Sequence, residues 1–496
     1  MLANDFHVLS EKMKIAYLIP GCGVSGGIAV ICQHANRLLK RGHKVLLVTE
    51  SVERFIDWFP DQKVPIVGLN QYPKDIDILV ATGWSTSFRV AVLPAQKKFY
   101  FVQSDETRFH PRNSSWEHIT RLSYTIGYNY LTEARWIKAW LADSFGHNAE
   151  LVPNGLDENI FFPAEPLQPK GTKPRILLEG AIGLPYKGMA EAFTAVRDLD
   201  VEVWCVSSYG KPEKRWKCDR FFEHVPMTEM RRIYSSCDIL LKLSRVEGFF
   251  GPPMEMMACG GTVIVGEVTG YDEYIENEVN ALVVNPMLPQ QAAKAICRLI
   301  DDRDLKARLT ENGRLTAQNW QWESSIDILE AYYIDVLDGK RGTKMTTGKA
   351  ASAISLAYFY GQLRGEDILS VLTKLESVKP TSVSTDGVLN VSQSHIDYAV
   401  ETRTSTVFDF MDVLRRSLLS IPNRFKHAVI LVSPYIGKAI RNPLLGVRMI
   451  KMAISILRIS GFNGLKLAVI SRGVQRQLLD DMRHQKNTTD TDDPQR

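Results

Sequence analysis

The feature that most constrains the fold is a glycine loop between a strand and a helix near the start of the chain. Lys14–Pro20 reads as a strand, Gly21–Gly26 as the loop, Ile28–Lys40 as a helix closed by Gly42, and Lys44–Thr49 as the next strand. Asp77–Ala81 and Lys98–Val102 continue the series. Short β-branched runs alternating with helical patterns predict stacked βαβ units and a parallel sheet. Around Val152–Lys173 the composition turns rich in proline and glycine, which marks a linker between domains. A second series follows, with strands at Arg175–Glu179, Val201–Val206, Ile239–Leu243, Thr262–Val265 and Ala281–Val284. Its helices are expected at Met189–Asp198, at Thr228–Ser236, from Pro252 or Pro253, and from Pro289 to about Asp338. The chain therefore reads as α/β, with two doubly wound halves facing each other across a hinge.

Composition narrows the class. The 496 residues are 45% hydrophobic and 23% charged, which excludes a disordered chain and leaves ample apolar residues for a core. A net charge of +4 is too small to imply nucleic acid. The seven cysteines are thinly spread and lack any C-x-x-C pair, so reduced cytoplasmic thiols are expected rather than a disulfide frame or zinc site. The N-terminal residues carry Asp5 and Glu11 and no continuous apolar stretch, so no signal peptide is expected. No uncharged apolar run reaches the roughly 20 residues of a spanning helix. The expected location is the cytoplasm, with the membrane's cytoplasmic face as an option.

Two motifs carry chemistry. Gly21-Cys22-Gly23-Val24-Ser25-Gly26 follows a strand, opens a helix, and has Glu50 at the end of the next strand, which is the dinucleotide fingerprint in context. Gly26-Gly27 at the helix start exposes N–H groups that suit any phosphate, so a nicotinamide enzyme and a sugar-phosphate enzyme both fit. The loop also serves as a tight turn alone. In the second half, Glu247 and Glu255 stand eight apart across a loop and into a helix, with Pro252 and Pro253 suited to its first turn. Glu255 in that turn can accept two vicinal ribose hydroxyls beside N–H groups that hold a diphosphate, and Glu247 can reach what the diphosphate carries. The plainer reading makes Glu255 a complement to the helix dipole and Glu247 a solvated loop residue. Asp105, Glu106 and His110 follow the strand KKFYFVQ at the sheet edge where α/β ligands gather, so a base there can take a proton from an acceptor hydroxyl. Asp75-Ile76-Asp77 leads into a strand and reads as its entrance, so no metal site is expected.

The set E-G-F-x-x-P-P-x-E followed by M-A-C-G resembles the E-x7-E signature of retaining glycosyltransferases of family 4, which have the GT-B fold. The resemblance runs over residues 14–338 and includes R-G-H-K-V, V-P-N-G-L-D at Val152–Asp157, Tyr186-Lys187-Gly188 and Trp322. YFVQSDETRFHP and LKLSRVEGF are most similar to surface-polysaccharide enzymes, rhamnosyltransferases included. The resemblance implies that Glu255 binds the donor ribose, Glu247 contacts the donor sugar and Lys187 neutralises the leaving diphosphate. It implies that Gly26 and Gly27 approach phosphate from the first half, and that Gly248, Phe249, Phe250 and Gly251 line the donor. The implied co-substrate is a nucleoside-diphosphate sugar with no metal or other cofactor, and the acceptor a glycan or lipid-linked sugar. Catalytic roles fall to Glu247, Lys187, His110 and Asp105. Two departures stand out. Glu179-Gly180-Ala181-Ile182 lacks the usual arginine after the first strand of the second half, leaving Arg245 as a substitute or a surface residue. Phe250 also puts a ring where a glycine often meets the donor. An inactive relative kept as a scaffold in polysaccharide assembly is therefore one alternative, and a dinucleotide oxidoreductase another.

Expected boundaries are 1–152 for the first Rossmann-like (acceptor) domain, 153–338 for the second (donor), 339–349 for a linker, 350–486 for a basic α-rich or mixed extension and 487–496 for a disordered tail. From Val413 to Leu479 there are twelve Lys or Arg and no Asp or Glu. Within it Asn442-Pro443 opens a helix to about Ser460, with Arg448, Lys451, Ser455 and Arg458 in one stripe of an otherwise apolar surface. Such a helix can lie on an anionic membrane or pack on the catalytic domains. Few aromatics accompany it, so nucleic acid is not an expected partner.

Overall fold

The computed structural model describes residues 12–343, with Ala357 and Tyr360. The expectations for 350–486, for the basic segment 413–479 and for the tail lie outside the described residues.

The first sheet has seven strands: β1 (Lys14–Ile19), β2 (Lys44–Thr49), β3 (Ile66–Gly68), β4 (Ile78–Ala81), β5 (Lys97–Val102), β6 (Asn129–Thr132) and β7 (Glu150–Leu151). They are all parallel, in the order β3-β2-β1-β4-β5-β6-β7. Its helices are α1 (Gly26–Lys40), α2 (Trp84–Val92), α3 (Ser115–Ser123) and α4 (Arg135–Phe145). The second sheet has six parallel strands: β8 (Arg175–Glu179), β9 (Glu202–Ser207), β10 (Arg220–Glu223), β11 (Ile239–Lys242), β12 (Thr262–Gly266) and β13 (Leu282–Val284). Their order is β10-β9-β8-β11-β12-β13. With it go α5 (Met189–Val196), α6 (Met227–Ser236), α7 (Gly251–Ala258), α8 (Pro289–Asp301), α9 (Arg303–Gln318) and α10 (Trp322–Leu337).

Each sheet reverses its winding once, between β1 and β4 and between β8 and β11. Open α/β sheets collect ligands at the carboxyl ends of the strands beside such a reversal. The strands there are mostly apolar, as burial on both faces requires: β4 (ILVA) is buried at every position, and so is β11 (ILLK), lysine included.

Two boundaries differ from expectation. Helix α10 was expected with the second sheet, yet Ile326, Leu329, Tyr333 and Val336 join the core formed by α1, β1 and β2. Each fully buried aliphatic side chain on it is worth about 1.5–3 kcal/mol, so α10 is an integral wall of the first half. The chain crosses between halves twice at one place, where the Leu156 N–H donates to the Trp320 carbonyl at 2.8 Å. Residues 91–93 and 113–128, α3 among them, also leave the expected first domain. They belong to a separate compact unit, while residues 94–112 and 129–342 stay with both sheets.

Candidate active site

The site builds up from the ends of β8 and β11. After β8 the chain makes a 3-10 turn, Pro185–Lys187, and Gly188 leaves it with φ at 64°. A Cβ on Gly188 would stand 2.0 Å from the Leu243 carbonyl oxygen, so only glycine lets this turn seat against the exit of β11. That seating brings Lys187 to Glu247, and its Nζ donates to both carboxylate oxygens at 2.9 Å. Lys242, the last residue of β11, is 3% exposed and lies 3.8 Å from the same carboxylate. Its Nζ also donates to the Glu179 carboxylate and, at 3.2 Å, to the Glu179 carbonyl. Burial pushes the Glu247 carboxyl up, but Lys187 and Lys242 outweigh it and hold the group below the usual glutamate value. Burial likewise pulls Lys242 down, and Glu179 and Glu247 reverse that. Two lysines therefore flank a Glu247 carboxylate held in its ionised form.

Glu255 accepts from the Tyr234 hydroxyl at 2.8 Å, and burial, with Glu179 adding to it, pushes its carboxyl up to about 7. Its place in the helix differs from expectation. Helix α7 begins at Gly251, so Glu255 falls in the second turn. Pro252 and Pro253 remove two of the first N–H groups, and the Gly251 N–H is taken by the Phe249 carbonyl at 3.1 Å. The helix start is therefore a poor diphosphate cradle by itself.

The other predicted residues separate into groups. Phe250 is fully buried in the core of the second half, and so presents no ring to a ligand. Phe249 packs on Tyr274 and Trp320, with centroids at 5.6 and 5.4 Å. Arg245 is committed elsewhere: it pairs with Glu191 at 2.8 Å and donates to the Pro185 carbonyl, bracing the Lys187 turn. Asp105 caps a 3-10 turn, Glu106–Phe109, through Thr107, and His110 at its end lies edge-on to Trp84 at 5.7 Å. Gly26 and Gly27 open α1, where Ser25 makes no side-chain cap. The space beside Gly26 is open, whereas a Cβ on Gly27 would meet the Gln103 amide at 3.1 Å. The paired acids Asp75 and Asp77 both engage Lys14 at the start of β4, the sheet edge opposite the ligand side.

Gln103, Glu133 and Lys242 are absent from the sequence-based list. Gln103 links Gly27 to the carboxylate loop, because a Cβ on Gly248 would lie 1.7 Å from the Gln103 carbonyl oxygen. Lys242 had a signal: a lone lysine ending an apolar strand, LLK, beside E-x7-E. Glu50, the acid that a dinucleotide ribose would need, is salt-bridged to Arg89.

Comparison with known proteins agrees with this architecture. Residues 217–316 match the family model for Glycosyl transferases group 1. An uncharacterized glycosyltransferase of Methanocaldococcus jannaschii is 26% identical over 216 residues, 41% of this chain and 59% of that protein. The O-antigen biosynthesis protein RfbC of Myxococcus xanthus is 22% identical over 260 residues, 51% of this chain and 20% of that protein. The chain thus spans less than two thirds of these relatives. Among solved structures, sucrose-phosphate synthase from Thermosynechococcus elongatus superimposes with a TM-score of 0.54 at 15% identity, over 66% of this chain and 100% of that one. Anabaena HepE in complex with UDP-glucose gives 0.54 at 16%, over 64% and 99%. WaaG, a glycosyltransferase involved in lipopolysaccharide biosynthesis, gives 0.52 at 16%, over 66% and 100%. The chain has the GT-B fold, and its residues 217–316 match the group 1 glycosyl transferases.

Proposed function

We propose that the chain is a retaining, metal-independent glycosyltransferase of the family 4 kind. It moves a sugar from a nucleoside-diphosphate sugar to a glycan or lipid-linked acceptor in surface-polysaccharide biosynthesis, in the cytoplasm. The observation that carries this reading is the Lys187–Glu247–Lys242 cluster at the point where the second sheet reverses. Transfer leaves negative charge on the departing diphosphate, and cations already fixed in place stabilise it without reorganisation. Lys187, with its side chain about one fifth exposed, can swing from Glu247 to a phosphate oxygen. Lys242 stays behind to keep Glu247 ionised toward the donor sugar. Glu255 receives the ribose hydroxyls, and Gly26 and Gly27 offer N–H groups from the first half.

Lys242 also bears on the missing arginine. Strand β8 ends in Glu179 rather than leading to an arginine, and the neighbouring strand supplies a lysine instead, so the cluster keeps two cations. The involvement of WaaG in lipopolysaccharide biosynthesis and of RfbC in O-antigen biosynthesis, and the UDP-glucose bound to HepE, support the same substrate class. A thermal-shift screen of nucleoside diphosphates, nucleotide sugars and NAD(P) is the test. Stabilisation by a nucleoside diphosphate together with turnover of a sugar donor is expected. Stabilisation without turnover of any donor would point to the scaffold, and stabilisation by NAD(P) alone to an oxidoreductase.

A further inference from the structure

The backbone of the carboxylate loop is gripped by residues from the other half of the site. Glu133 follows β6 of the first sheet and is 5% exposed. Its Oε1 accepts from the Phe249 N–H at 3.0 Å, while its Oε2 accepts from Asn154 Nδ2 at 2.9 Å. One turn further, the Trp136 indole N–H donates to the Gly248 carbonyl at 2.9 Å. The Ser104 hydroxyl donates to the Glu247 carbonyl at 3.4 Å. Gly248 itself passes so close to Gln103 that no side chain fits. Three successive residues, Glu247 to Phe249, are thus held from the first sheet, and none of these contacts belongs to the second sheet's own packing.

We propose that Glu133 is a positioning residue that latches the Glu247–Phe249 loop in its donor-ready geometry, so that the donor site is complete only when both halves contribute. This rests on the glycosyltransferase reading of Glu247. The chemistry of Glu133 suits the task. Burial pushes its carboxyl up to about 8, and the titratable group facing it, Glu247, pushes in the same direction. At neutral pH a protonated Glu133 still accepts the Phe249 N–H without placing a second buried negative charge beside Glu247. A glutamine there keeps the same acceptor. Asn154 can accommodate it by turning its amide, because Asn154 Oδ1 is buried with no partner among the described residues.

Amide hydrogen exchange on the full-length chain, read over a peptide covering residues 246–250, tests the latch directly. Glu133→Ala is expected to speed exchange there by roughly tenfold, whereas Glu133→Gln stays near wild type. Trp136→Phe, which removes the indole N–H together with the five-membered ring that carries it, is expected to act in the same direction with a smaller effect. The second readout is release of the nucleoside diphosphate, with water as acceptor of the sugar, from a panel of UDP-, GDP- and dTDP-sugars. Glu133→Ala should lower kcat by roughly tenfold or more with the donor KM little changed, and Glu133→Gln should restore it. Unchanged exchange in Glu133→Ala, or equal impairment of the alanine and glutamine variants, overturns the proposal. A wild-type chain that releases a nucleoside diphosphate from no donor overturns the activity, and the exchange result then decides the latch alone.

Discussion

Replacing Lys242 by methionine isolates the charge that makes the cluster work. Methionine keeps most of the lysine stem, so little cavity opens, and the perturbation is the loss of the ammonium. In its place Glu179 loses the donor to its carboxylate and its carbonyl, and Glu247 loses a cation at 3.8 Å while keeping Lys187. Removing one partner of a buried pair costs about 3–5 kcal/mol. The Glu179 side chain is 22% exposed and recovers some hydration, which puts the expected loss near the lower end, at about 3 kcal/mol. Glu179→Gln alone should cost less, because Lys242 still faces Glu247. The double variant should then be more stable than the sum of the two losses predicts, by about 2 kcal/mol. Urea unfolding at pH 7 reads this from the midpoints, provided the slopes agree. A Lys242→Met variant within about 0.5 kcal/mol of wild type, or strict additivity in the cycle, would refute the reasoning and make Lys242 an incidental buried residue.

Three further outcomes are expected. The Glu255 carboxyl, raised from 4.5 to about 7, contributes stability that is complete below pH 4.5 and lost as pH rises through 7; ribose hydroxyls need the ionised form, so affinity for UDP should rise over the same interval and flatten in Glu255→Gln, as titration calorimetry would show. Gly248→Ala drives a methyl into the Gln103 carbonyl and should cost about 1–3 kcal/mol in urea unfolding, with no loss refuting the close approach. The full chain should sediment with anionic liposomes, less at high salt, and a chain truncated before Val413 should not, while keeping its UDP affinity; persistence of binding would move the docking surface elsewhere.

Much of the architecture is legible in the sequence because parallel strands buried on both faces are runs of β-branched and aliphatic residues. β1, β2, β8, β11 and β12 fall within a residue or two of where the runs place them. β6 (NYLT) and β10 (RFFE) are not legible, since the first carries a polar residue at each end and the second is a half-exposed edge strand. Nor does the amphipathic pattern of α10 say which sheet it will cover. Within the site, the pairing of Lys187 with Glu247 follows from motif residues. Two features escape it: the start of α7 at Gly251, one or two residues earlier than the prolines suggest, which moves Glu255 out of the first turn, and tertiary contacts such as Glu133 to Phe249, whose partners lie 116 positions apart.

The account stands most directly on calorimetric titration of the folded chain with UDP, beside Lys187→Ala and Glu255→Ala. Each substitution removes one charge-assisted partner of the nucleotide, worth about 1.5–3 kcal/mol, so each should weaken binding roughly tenfold to a hundredfold. Affinity unchanged in both folded variants would contradict the assignment of this cluster as the donor site.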